Sequence, residues 1–250
     1  MDSLHPVSRT ALVTGSGRNI GRSIAVTIGE LGHNVVVNGS ADRAACEAVA
    51  AEVEQAGGRA VVAMGDVSRR ESFDHLIKVA HDAFGSVDIL INNAAIRPEK
   101  PFLDTTDADW HRVLDVDLNA VFYGCRAALP GMVSNNWGRI INLTGMNAIH
   151  GYSGRAPVSV AKHGVWGLTK ALAKEFGSSG ITVNAISPGP ILGARDSQAK
   201  ADQVAGDIKY IPIGRLGAPE EVAVVASMLA SDRGAFVNGQ MIQVNGGAAM

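Results

Sequence analysis

Thr10-Ala11-Leu12-Val13-Thr14-Gly15-Ser16-Gly17-Arg18-Asn19-Ile20-Gly21 is the stretch that decides the fold. It reads as a short apolar strand, a glycine-rich turn and the start of a helix. Glycines there let the backbone approach a pyrophosphate, and the helix N-terminus adds N–H donors and a positive dipole end. A glycine-rich turn alone is a weak signal, but in strand–turn–helix context it predicts a dinucleotide site over Gly15, Gly17, Arg18, Asn19, Ile20 and Gly21.

Outward from this turn the same alternation repeats. Apolar runs at 35–37, 60–63, 89–91, 139–143, 181–186 and 241–244 read as strands. Helical patterns fill 20–31, 43–56, 71–84, 108–129, 158–176 and 219–230. Uninterrupted apolar strands between helices indicate a parallel sheet covered on both faces. The expected fold is α/β: a single-domain Rossmann-type doubly wound parallel sheet of about seven strands across 1–250. The stretch 188–216, rich in proline, glycine and scattered charge, is expected to be a flexible substrate cap.

Composition narrows the classes. The chain has 250 residues, 46% apolar and 18% charged, which excludes a disordered chain. Lys plus Arg (22) nearly balances Asp plus Glu (24), so no broad nucleic-acid surface is expected. Cys46 and Cys125 make neither a disulfide framework nor a four-ligand metal site, so no metal is expected and the cytoplasm is the simplest compartment. No apolar run is long enough to span a bilayer, and Met1 to Pro6 lacks the pattern of a signal peptide. The expected partner is a small-molecule substrate.

The end of the second strand bears on the nucleotide. NAD is favoured there by an acid that accepts hydrogen bonds from the ribose 2′-OH. This chain has Asn38-Gly39-Ser40, with no acid before Asp42, while Arg18 offers a guanidinium for a 2′-phosphate. NADP(H) is therefore expected in preference to NAD(H), with Asn38 at the site.

Taken with Asp66-Val67, Asn92-Asn93-Ala94-Ala95, Asn119, Pro188-Gly189 and the closing Val244-Asn245-Gly246-Gly247, the turn makes the chain resemble a classical short-chain dehydrogenase/reductase. It is most similar to the β-ketoacyl carrier-protein reductase branch, from about Arg9 to Gly247. The resemblance implies that Asp66 and Val67 hold the adenine and that Asn92 and Ala94 lie on the ribose side. It implies that Pro188, Gly189 and Ile191 frame the nicotinamide, that Lys162 binds its ribose, and that Asn119 helps carry a proton-relay water. It also implies a homotetramer.

Three departures fall at the cofactor end. Asn19, Ala95 and Gly193 replace the family's usual glycine, glycine and threonine; asparagine tolerates positive φ better than most residues. The larger departure is catalytic. The family places a Tyr four residues before the Lys, on one helix face, so that the Lys cation lowers the phenol pKa. A Ser thirteen residues before that Tyr binds the substrate oxygen. Here those positions hold Val158 and Gly145, and no Tyr-x-x-x-Lys occurs anywhere in the chain.

Loss of a general acid costs roughly 10²–10⁴-fold in rate, so ordinary ketone reduction by the family mechanism is not expected. Tyr152 is the best substitute acid by chemistry and His150 titrates nearer neutrality, but both also read as pocket-wall or interface residues. Three readings stay open. One is an NADP(H)-dependent oxidoreductase with an atypical active site. Another is a non-redox lyase, isomerase or cyclase on the same scaffold. The last is a catalytically inactive, cofactor-binding subunit paired with an active paralogue.

Overall fold

The computed structural model describes residues 8–193, 206 and 208–249. Its strands are β1 (Thr10–Val13), β2 (Asn34–Gly39), β3 (Arg59–Met64), β4 (Ile89–Asn92), β5 (Gly138–Leu143), β6 (Ile181–Pro188) and β7 (Met241–Val244). All pair in parallel, in one sheet of order β3-β2-β1-β4-β5-β6-β7. The longer helices are α1 (Asn19–Glu30), α2 (Arg43–Gln55), α3 (Arg70–Phe84), α4 (Asp107–Leu114), α5 (Ala120–Ser134), α6 (Ala156–Phe176) and α7 (Pro219–Ala230).

The alternation of strand side chains explains the unbroken apolar runs. Ala11, Val13, Val35 and Val37 face a layer containing Ile24 and Ile28 of α1, Val53 of α2 and Leu229 of α7. Leu12, Val36 and Leu90 face the opposite layer, with Phe73 and Leu76 of α3, Met132 of α5 and Val165 of α6. Successive strand residues point to opposite faces, so covering both faces favours apolar residues at consecutive strand positions. Among the described residues, Phe73 is the largest fully buried side chain. Its truncation to alanine would cost about 3–5 kcal/mol.

Two expectations change in detail. The helix expected over 108–129 is interrupted: α4 stops at Leu114, a single wide π turn covers Asp115–Asn119, and α5 follows. The interruption leaves the amphipathic pattern almost intact, so periodicity does not reveal it. The stretch expected to be a cap starts with an ordered segment. Pro188 is the last residue of β6 and pairs with Val244. Ile191 bridges to Gly217, and the Leu192 amide donates to the Gly217 carbonyl at 2.7 Å. Residues 194–205 and 207 of that stretch lie outside the described residues.

Candidate active site

The strand order reverses between β1 and β4, and a cleft of about 670 Å³ opens there beyond the carboxyl ends of the strands. Its floor is the Thr14–Gly21 turn. Gly15 has φ +62°, and a Cβ on it would stand 2.9 Å from Ala94 Cα. A Cβ on Gly21 would meet the Asn93 amide and the Gly15 carbonyl. The turn is pinned from β4: Thr14 Oγ1 accepts from the Asn93 and Ala94 amides at 3.0 and 3.1 Å, and Asn93 Nδ2 donates to the Thr14 and Gly15 carbonyls at 2.9 and 3.0 Å. Asn19, where the family has glycine, takes φ +51°. It opens α1 in a left-handed conformation, as a tolerant asparagine can.

At the β2 end, Arg18 borders the cleft and makes no capping bond to α1. Asn38 also borders the cleft, but its amide is occupied. Its Oδ1 accepts from the Gly15 amide at 3.2 Å, and its Nδ2 donates to the Ala63 and Gly65 carbonyls at 3.0 and 3.2 Å. Asn38 therefore shapes the turn. A Cβ on Gly39 would lie 2.6 Å from Cys46 Sγ, so a side chain there would require the thiol to move. The nearby Asp42 carboxylate caps α2 by accepting from the Ala45 amide at 2.9 Å. At this end, then, Asp42 is committed to its helix and Gly39 offers no acceptor.

Asp66 and Val67 line the cleft beyond β3. Partial burial works to raise the Asp66 pKa, but hydrogen bonds from Ser68 and the Arg112 guanidinium outweigh it and hold the carboxyl below its ordinary value. Ala94, Pro188, Gly189 and Ile191 line the cleft. Asn92 does not. It is buried in a polar chain in which its Nδ2 donates to Asn142 Oδ1 at 2.8 Å, and Asn142 Nδ2 donates to Thr169 Oγ1 at 3.0 Å. That chain ties β4 to β5 and α6.

The expected catalytic residues are only partly brought together. Lys162 is buried; its Nζ donates to the Leu143 carbonyl at 3.1 Å and stands 3.4 Å from Asp117 Oδ2. Asn119 is engaged elsewhere, its Nδ2 donating to Asp115 Oδ1 at 2.8 Å. The side chain that the π turn presents to Lys162 is Asp117, which also accepts from the Ile96 amide at 2.8 Å. Val158 is sealed in the core at 0% exposure. Gly145 has φ +83°, and its missing Cβ would point towards the Pro188 carbonyl at 3.7 Å. Tyr152 is not among the cleft-lining residues; its ring stands edge-on to His150 at 6.2 Å. Thr144, beside Gly145, spends its hydroxyl on the Ile186 carbonyl at 3.0 Å.

A family model described as enoyl-(acyl carrier protein) reductase matches residues 15–249. The chain belongs to the short-chain dehydrogenase/reductase family. It is 38% identical to the 3-oxoacyl-[acyl-carrier-protein] reductase of Synechocystis over 97% of this chain and 98% of that protein. It is also 38% identical to 3beta-hydroxysteroid dehydrogenase 1 of Eggerthella lenta, over 97% of this chain and 94% of that one. A solved structure from Sinorhizobium meliloti, described as a candidate short-chain alcohol dehydrogenase, superposes with a TM-score of 0.92 at 33% identity, covering 98% of each chain.

As a short-chain dehydrogenase/reductase, the protein is of an oxidoreductase family. The sequence reading had passed over several residues of its site. Asn93 grips the turn, Cys46 crowds Gly39, Asp117 pairs with Lys162, and Arg97 lines the cleft beside Ile96. For Asp117 a signal was present: an acid two residues before Asn119, in a helix that carries Lys162's neighbours on its partner face. Arg97 carried none, because a lone loop arginine is ordinary in a sequence.

Proposed function

We propose that this chain is an NADP(H)-dependent oxidoreductase with an atypical active site lacking the family's Tyr and Ser. One observation carries the reading. The glycine-lined cleft at the sheet's switch point has backbone in place of side chains where a pyrophosphate must approach, with Arg18 beside it and glycine in place of an acid at Gly39. These features fit a phosphorylated dinucleotide. Gly15, Gly17, Asn19, Ile20 and Gly21 would hold the pyrophosphate, Arg18 the 2′-phosphate, Asp66 and Val67 the adenine, and Pro188, Gly189 and Ile191 the nicotinamide. When bound, the cofactor supplies or accepts a hydride.

The chain's own residues then bind and orient. Lys162 is committed to Leu143 and Asp117 rather than free to tune a phenol. Val158 carries no proton and Gly145 no hydroxyl. The favoured substrate is therefore one whose acceptor carbon needs little acid help, such as an iminium or an activated C=C. Two further expectations belong with this reading. Phe122 of α5 and Val160 of α6 leave apolar surface exposed, which supports a homotetramer. The two buried free thiols suit the reducing cytoplasm.

The test is a binding titration of the purified protein with NADPH and with NADH. Tighter NADPH binding is the expected result. Tighter NADH binding would overturn the nucleotide preference. Binding of neither would move the non-redox enzyme or the partner-subunit reading to the front.

A further inference from the structure

The geometry points to Arg97 as the anchor for an anionic group, a carboxylate, on the substrate of this cleft. The inference rests on the oxidoreductase reading above and names its substrate class.

The cationic side chains around Arg97 are paired. The loops carrying Glu99 and Arg155 meet. The Lys100 amide donates to the Gly154 carbonyl at 2.8 Å, and Arg155 donates through Nε and Nη2 to Glu99 Oε2 at 3.2 and 2.9 Å. Arg155 and Glu99 thus neutralise each other. Lys162 is matched by Asp117. Lys100 is matched by Asp109. Arg97 lines the cleft together with Ile96 and Val116, within electrostatic range of Asp117 and Arg155. Among the described residues no acceptor comes within hydrogen-bond or ion-pair distance of its guanidinium.

Arg97 feels the Asp117 carboxylate at longer range as a favourable charge and Arg155 as an unfavourable one. The side chain opens to solvent, yet enough protein surrounds it that desolvation, the largest effect, lowers its pKa. Guanidinium remains charged under all working conditions. A planar cation facing a cavity without a counter-charge recognises a carboxylate in a two-point fashion. The same end of the cleft has lost both hydroxyls that would bind a neutral carbonyl oxygen, so orientation there must come from another group.

Succinate and its neutral counterpart succinamide serve as probes, titrated calorimetrically into the full chain with and without saturating NADPH. The expected result is that the wild-type protein prefers succinate by at least tenfold. Arg97→Ala should abolish that preference, Arg97→Lys should retain part of it, and NADPH affinity should stay within about twofold in both. Equal succinate binding by wild type and Arg97→Ala would overturn the proposal. So would a wild type that binds neither probe, or binds them equally. A large loss of NADPH affinity in Arg97→Ala would assign the guanidinium to the cofactor and overturn it as well. Failure of both NADPH and NADH to bind the wild type would instead remove the oxidoreductase reading, and the cofactor-free titration would still decide the role of Arg97.

Discussion

Lys162 Nζ lies 3.4 Å from Asp117 Oδ2, and both side chains are sealed from solvent. Burial acts most strongly on the lysine and lowers its pKa, while the Asp117 charge raises it; the net shift is downward from 10.5. The folded chain therefore gives up this proton at lower pH than the unfolded chain. Below the folded value the penalty is complete. Between that value and about 10.5 the unfolded state holds more protons, so the Lys162 contribution to stability rises with pH.

Asp117→Asn should retain the hydrogen bond from Ile96 but leave Lys162 without its counter-charge. The variant is expected to lose about 3 kcal/mol near pH 7. Its Lys162 pKa should fall further, so the deficit should shrink as pH rises towards about 10. Urea denaturation of both proteins across that range checks this. A deficit that does not change with pH would mean that charge pairing is not its source.

Asn19 opens α1 with φ +51°. Asn19→Ala should lose about 1–2 kcal/mol, the cost of the left-handed region for a residue with an ordinary Cβ. Asn19→Gly should stay within about 0.5 kcal/mol of the wild type, because glycine pays no such steric cost. The comparison by chemical denaturation separates backbone strain from any loss of side-chain contact.

Arg18→Ala should weaken NADPH about tenfold, as expected for losing one charge-assisted bond, and leave NADH unchanged. Gly39→Asp alone should destabilise, since its Cβ collides with Cys46 Sγ. Gly39→Asp combined with Cys46→Ala should recover stability and bind NADH. Fluorescence titration of the three proteins gives the ratios, and a double variant that still prefers NADPH would remove Gly39 from the selectivity argument.

Restoring the family's hydroxyls should be costly. Gly145→Ser forces a Cβ into φ +83°, at about 1–2 kcal/mol. Val158→Tyr overfills a site with no exposure, at about 1–3 kcal/mol. Guanidinium denaturation of the double variant should show a loss near the sum if the two sites act independently. A double variant as stable as the wild type would show that room for both hydroxyls remains.

Much of this was legible in the residues. Unbroken runs such as Val35-Val36-Val37 pointed to a two-faced sheet, because covering both faces favours apolar residues at consecutive positions. The Thr14–Gly21 turn marked the cleft because glycine content and strand–helix context are local properties. What lay beyond reach was tertiary. That Asn92 is turned into the core and Asn93 to the turn depends on strand phase within a four-residue segment. That Asp117 and not Asn119 meets Lys162 depends on the π turn, whose extra width shifts which residues share a face. Arg97 stood out only once its neighbours' charges were found to be paired.

The wide turn at 115–119 also sets a rule for how this chain can vary by descent. It takes one residue more per turn than the regular helix on either side. Deleting a single residue there would let α4 and α5 close into one ordinary helix that keeps much the same facing at both ends, while the residues inside the turn would be redistributed around it. The Asp117 carboxylate would swing away from both Lys162 and the Ile96 amide, stranding a cation in the core. Chain length at this turn therefore matters to the buried Lys162 as much as the identity of Asp117 does.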